Sequence, residues 1–136
     1  MKTFLDSGVL LTAWKGKPAD AAAAMAVMHD PQREFVTGAM VKLELVPKPA
    51  FFKKQDELEF YQLHFNTTTG EAPLNPEIAA AAMVIAKRHG LAAADALNLA
   101  AAIGQGAQEF VTSELPGKPM FRVREIKVTT LHAAVN

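Results

Sequence analysis

The chain has 136 residues, half of them hydrophobic, with 14 basic and 14 acidic side chains and a formal net charge of zero. That composition suffices for one domain with a real core, and it excludes both disorder and a strongly basic nucleic-acid binder. There is no cysteine, so disulfide frameworks, thiolate zinc sites and cysteine nucleophiles are excluded, and a reducing cytoplasm fits.

Residues 3–5 form a short apolar run before Asp6 and read as a buried first strand. Ser7 is expected to cap a helix over 8–14 that Gly16 ends. Pro18 opens a second helix, with Ala21, Ala24, Met25 and Met28 on one core face. Residues 34–37 read as the second strand. Gly38 then turns the chain into a short helix carrying Glu44, which Pro47 and Pro49 end. Residues 50–65 read as one longer helix with an aromatic-rich core face of Phe51, Leu58, Tyr61 and Phe65. After a polar turn, 72–74 read as a brief extended segment. Asn75-Pro76 opens a helix that runs to His89 and closes at Gly90. An Ala-rich helix over 91–104, a strand over 109–112 and a last strand over 124–131 complete the chain, with Ile126 and Val128 sharing a face of the last strand. Strands alternating with helices predict an α/β fold: a single-domain, parallel-sheet, three-layer sandwich over residues 1–136.

No signal-peptide core follows MKTFLDSG. The longest apolar runs, 21–28 and 91–103, are shorter than the roughly 20 residues of a membrane span. A cytoplasmic protein with no membrane association is expected.

Four acids stand where apolar segments give way to helices or turns: Asp6, Glu44, Asp95 and Glu114. In a parallel sheet such positions gather beyond the carboxyl ends of the strands. Like charges brought together raise one another's proton affinity. A hard divalent cation, magnesium or manganese (Mg2+ or Mn2+), removes that cost and accepts oxygen ligands. Such a cation also lowers the pKa of bound water and neutralises charge on phosphate oxygens, which points to phosphodiester hydrolysis. The bland readings are a helix cap for Asp6, a helix-terminal charge for Asp95, a surface pair with Lys42 or Lys48 for Glu44, and a loop acid for Glu114. Ser7 and Thr112 are expected to orient the carboxylates or hold waters.

The segments FLDSGVLL, FVTGAMVKLELV and GLAAADALNLAAAIGQGAQEFVTSE resemble the PIN-domain family of ribonucleases, which includes many toxins of bacterial toxin–antitoxin pairs. The resemblance covers nearly the whole chain. It places the family's acids on Asp6, Glu44, Asp95 and Glu114, with Thr112 at the accompanying hydroxyl position. Glu114 replaces the usual aspartate and is one methylene longer. Asn98 falls at a variable position.

The resemblance implies a metal-dependent endoribonuclease, with RNA as substrate, a small antitoxin as partner and a homodimer as the assembly. The alternative is a binding module on the same fold that recognises RNA or a protein without cutting. An aspartate phosphatase usually needs a second aspartate two residues past the nucleophile, and Gly8 stands there. None of His29, His64, His89 and His132 accompanies a nucleophile elbow, so they read as surface or partly buried residues. Lys15, Lys17, Lys118 and Arg122 lie near predicted rim loops, where they are placed to touch RNA phosphates.

Overall fold

Short apolar runs bounded by turn residues give five strands, and the polar-flanked Ala/Leu-rich segments between them give helices. In this computed structural model, which describes residues 1–132, they follow as β1 (Lys2–Leu5), α1 (Ser7–Lys15), α2 (Pro18–Met28), β2 (Glu34–Gly38), α3 (Ala39–Leu45), α4 (Pro47–Phe51), α5 (Gln55–Thr67), β3 (Glu71–Ala72), α6 (Pro76–His89), α7 (Ala93–Gly104), β4 (Glu109–Thr112) and β5 (Lys127–Thr130). The strands form one parallel sheet in the order β3-β2-β1-β4-β5. The chain winds outward from β1 to β3 and restarts on the other side at β4. The sheet therefore switches direction between β1 and β4, where a crevice opens beyond the strand ends.

The pleat decides which layer each side chain joins. Phe4 lies opposite Val36 and Phe110 in register, and all three are buried on the face covered by α3, α5, α6 and α7. Phe4 and Phe110 stack with centroids 5.5 Å apart, a contact worth about 0.5–1.5 kcal/mol beyond area burial. Leu5, Phe35 and Val111 point the other way, against Val9 of α1 and Ala24 of α2. In α7, buried Ala96, Ala100, Ala101 and Ala102 let the helix lie close to the sheet. The predicted three-layer α/β sandwich is thus the observed one. Among the described residues, no helix is long and apolar enough to cross a membrane.

The helix over 76–89 forms as its signals predict. Asn75 Oδ1 accepts from Ile78 N at 2.9 Å, and Gly90 closes the helix in the left-handed region at φ 70°, a conformation glycine adopts without steric cost.

Elsewhere the boundaries differ for identifiable reasons. Asp6, and not Ser7, caps α1, because its carboxylate reaches the Ser7 N–H at 2.9 Å. The helix expected over 50–65 is broken. The helix carrying Glu44 ends at Leu45, just before Pro47 as expected, but Pro47 also begins α4, a corner follows at Phe52–Lys54, and α5 starts afresh at Gln55. Of the expected aromatic face, Tyr61 and Phe65 are buried and Leu58 is half-buried, while Phe51 is 78% exposed. The extended segment after the polar turn is Glu71–Ala72, two residues long, because it pairs with just Thr37 and Gly38. The Ala-rich helix starts at Ala93, and Leu91 and Ala92 form its approach. The last strand shrinks to Lys127–Thr130, since Pro119–Arg122 winds into a 3-10 turn and Ile126 is buried ahead of the strand.

Candidate functional site

Asp6 leaves the end of β1 with its N–H bonded to the Val111 carbonyl of β4 at 2.9 Å, which fixes it at the switch point. Its side chain is 8% exposed. One carboxylate oxygen accepts from Ser7 N, and the other accepts from the Thr112 hydroxyl at 3.2 Å. Thr112 ends β4, and its Oγ1 also accepts from Glu114 N at 3.1 Å, so one hydroxyl ties Asp6 to the loop that bears Glu114. At Gly8 a Cβ would stand 2.3 Å from the Ser113 Oγ, so the absence of a side chain there lets α1 approach this loop.

Glu44 comes in on α3, which follows β2 with no linker. Asp95 lies in the first turn of α7, where the helix dipole favours a negative charge. Asn98 sits one turn further along α7, on the same face. Its Nδ2 donates to Glu44 Oε1 at 2.8 Å and reaches Asp6 Oδ1 at 3.5 Å. Asn98 is fully buried, and its Oδ1 has no hydrogen-bond partner. A buried polar atom without a partner is a costly exception in folded proteins.

The charges of these acids act on one another. Burial pushes the Asp6 carboxyl up from 3.8 to about 7, and the nearby Glu44 and Asp95 push in the same direction. Asp95 is raised by burial and then by Glu114 and Glu44. Each of the four acids predicted from the sequence therefore acts electrostatically on at least one of the others. Their exposure is graded: Asp6 is buried, Asp95 half-buried, and Glu44 and Glu114 open to solvent.

Oxygen donors in this number, two of them with raised proton affinity, suit a hard divalent cation. Among the described residues, however, no three His, Asp or Glu side chains close up into a ligand cluster as they stand. The Asn98 amide bridges Asp6 and Glu44.

Of the bland readings, the helix cap holds for Asp6 alongside its site position. The surface pair for Glu44 does not form, because Lys42 bonds to Glu71 and Glu44 accepts from Asn98. Asn98 is the residue that sequence reasoning passed over. Its signal is an amide three residues after an aspartate in a helix otherwise made of small and apolar residues. Of the expected rim cations, Lys15 lies beside the acids and Arg122 does not. Lys15 lines a groove that contains Ser7 and Glu44, together with Lys48 and Lys54. Arg122 instead donates to the His89 carbonyl at 3.0 Å. His64 is fully buried and not a surface residue, with Phe35 and Phe65 against its ring. His89 is bound to Glu125, and His132 to the Ser113 carbonyl.

The family model described as PIN domain matches residues 3–114. No curated protein matches the sequence. Solved structures do match in fold. VapBC2 from Rickettsia felis, bound to a DNA fragment from its promoter, superposes with a TM-score of 0.68 at 13% identity, covering 96% of this chain and 98% of that one. A toxin–antitoxin complex from Klebsiella pneumoniae gives 0.68 at 18% identity, covering 97% and 99%. VapBC-1 from nontypeable Haemophilus influenzae gives 0.66 at 18% identity, covering 96% and 98%.

Proposed function

Since this chain belongs to the PIN-domain family, we propose that it is a divalent-metal-dependent endoribonuclease, one PIN-like domain over residues 1–136, acting in the cytoplasm as the toxin of a toxin–antitoxin pair. The observation that carries the reading is the bridge from Asn98 to Glu44 and Asp6, with Asp95 one turn away, at the crevice between β1 and β4. Asp6, Glu44 and Asp95 would hold magnesium or manganese, and Glu114 would complete the set. A cation held there would supply Lewis acidity for phosphodiester hydrolysis.

The protein's own part is positional. Ser7 N–H and Thr112 hydroxyl hold the Asp6 carboxylate at a fixed angle, and Asn98 holds Glu44. Thr112 also sets the Glu114 loop through its bond to Glu114 N. These partners act on the ligands as outer-shell hydrogen bonds usually do, fixing orientation and raising affinity. No covalent enzyme intermediate is expected.

Cleavage of single-stranded RNA by wild type and Asp6→Asn, with manganese and with a chelator, tests the proposal. Manganese-dependent cleavage lost in the variant supports it, and equal cleavage by both proteins sinks it.

The toxin assignment draws on the fold neighbours, which include toxin–antitoxin complexes. Expression alone should then slow growth, and a small antitoxin should be encoded beside the gene. A homodimer is expected from the family resemblance and is checked by light scattering.

The second reading, a PIN-like module that binds RNA or protein without cutting, is favoured by one observation: among the described residues, no three acidic side chains converge as ligands as they stand. A protein that binds RNA yet yields no product with manganese would select it.

A further inference from the structure

The carboxylates account for the floor of the crevice but not for the groove beside it. That groove, about 390 Å3, runs from Ser7 and Glu44 outward to Phe52 and Lys54. This volume falls in the range of about 300–1,000 Å3 usual for small-molecule sites. Three ammonium groups line it: Lys15 from α1, Lys48 from α4 and Lys54 from the corner before α5. Among the described residues, none of the three forms a salt bridge. Glu57 also lines the groove, but its carboxylate accepts from the Tyr61 hydroxyl at 2.6 Å. Phe52 stands in the same wall and is 57% exposed.

The corner that presents Phe52 and Lys54 is built at a cost. Lys53 sits at φ 55°, a left-handed conformation that costs a non-glycine residue about 1–2 kcal/mol. Backbone bonds from Lys53 N to Ala50 O and from Lys54 N to Pro49 O, at 3.2 and 2.8 Å, hold it there. Strain of this kind survives where the surroundings over-determine it, and it concentrates at ligand sites.

We propose that this groove seats the unpaired nucleotides flanking the scissile phosphate, with a base stacked on Phe52 and backbone phosphates on Lys15, Lys48 and Lys54. The proposal rests on the ribonuclease reading above and adds to it the residues that seat the strand. Cations along a groove track a phosphate backbone, and an exposed aromatic ring beside them offers a stacking platform to any base. In a duplex the base faces are already stacked, so only a single strand can splay a base onto the ring.

The test is fluorescence anisotropy with labelled oligouridine, a matched duplex and an abasic oligomer, using chelator-treated protein so that nothing is cut. Wild type should prefer the single strand to the duplex. Phe52→Ala should weaken oligouridine binding about 10-fold or more, Phe52→Tyr should restore it, and the abasic oligomer should not distinguish the variants. Lys48→Ala with Lys54→Ala should flatten the logarithmic salt dependence by roughly 0.7 per lysine. All three side chains are exposed, and circular dichroism checks that each variant is folded.

Unchanged affinity and salt slope in all these variants overturn the subsite and leave the groove to a protein partner. Manganese-dependent cleavage of oligouridine by wild type is scored separately. Cleavage without Phe52 dependence removes the subsite alone, whereas Phe52-dependent binding without cleavage removes the nuclease reading and leaves the groove as an RNA-binding surface with no scissile phosphate to flank.

Discussion

Replacing Asp6 by asparagine should stabilise the metal-free protein while destroying its proposed activity. The Asp6 carboxyl rises from 3.8 to about 7 on folding. At about 1.4 kcal/mol per pKa unit, the charged form costs the fold up to about 4 kcal/mol. A carboxylate whose folded pKa is raised contributes stability that is fully present below the unfolded value and lost as pH climbs through the folded one. The advantage of Asp6→Asn over wild type should therefore be near zero at pH 4, grow between pH 4 and 7, and level off above pH 7. Asparagine is isosteric and keeps an acceptor for the Ser7 N–H, so the cap survives.

Urea unfolding of both proteins in chelator, from pH 4 to pH 8, gives the difference directly. Subtracting the curves cancels titrating groups not coupled to Asp6, such as Glu109 and Glu125, whose folded pKa values are lowered. Manganese should reverse the order, because a cation that binds the native state alone adds stability to wild type. A difference that stays flat across the range, or a wild type more stable than the variant at pH 8 in chelator, would refute the argument from burial and neighbouring charge.

Three further outcomes are expected. Asn98→Ala should lower manganese affinity about 10- to 100-fold in a calorimetric titration, since it frees Glu44 from its 2.8 Å hydrogen bond. His64 is buried with an unpartnered Nε2 and a pKa lowered to about 4 by desolvation, so its stability contribution is present above pH 6.5 and lost as pH falls toward 4. His64→Leu should remove that acid-side loss, up to about 3 kcal/mol on the unfolding curve. Arg33 pairs with Glu109 beneath the opposite edge of the sheet and also donates to Thr3. Arg33→Met should cost about 3 kcal/mol in urea unfolding by leaving the Glu109 charge buried and unpaired, and adding Glu109→Gln should recover part of that loss.

The fold was legible where local signals agreed with the layers. Alternation of Phe4 with Leu5 and of Phe110 with Val111 sets two faces of a parallel sheet, and Asn75, Pro76 and Gly90 delimit α6. The corner at Phe52–Lys54 was not legible. Pro47 and Pro49 are as compatible with the start of a helix as with the end of one. Phe51 reads as core by composition, yet the chain turns it out to solvent, and Phe52 beside it lines the groove. The places of the acids in the fold were legible, because Asp6 and Glu114 come after strands, Asp95 opens α7 and Glu44 lies in the helix that leaves β2. Asn98 was not, because a lone amide in a helix has no partner until the fold brings Glu44 and Asp6 beside it. The Lys48–Lys54 part of the groove depends on that same unforeseen corner.

Calorimetric titration of manganese into wild type, Asp6→Asn and Glu114→Gln tests most directly whether the four acids form one cation site. One sub-millimolar site in wild type, abolished in Asp6→Asn and weakened in Glu114→Gln, is the predicted result. Equal heats from wild type and Asp6→Asn, or no binding to wild type at millimolar manganese, would contradict it.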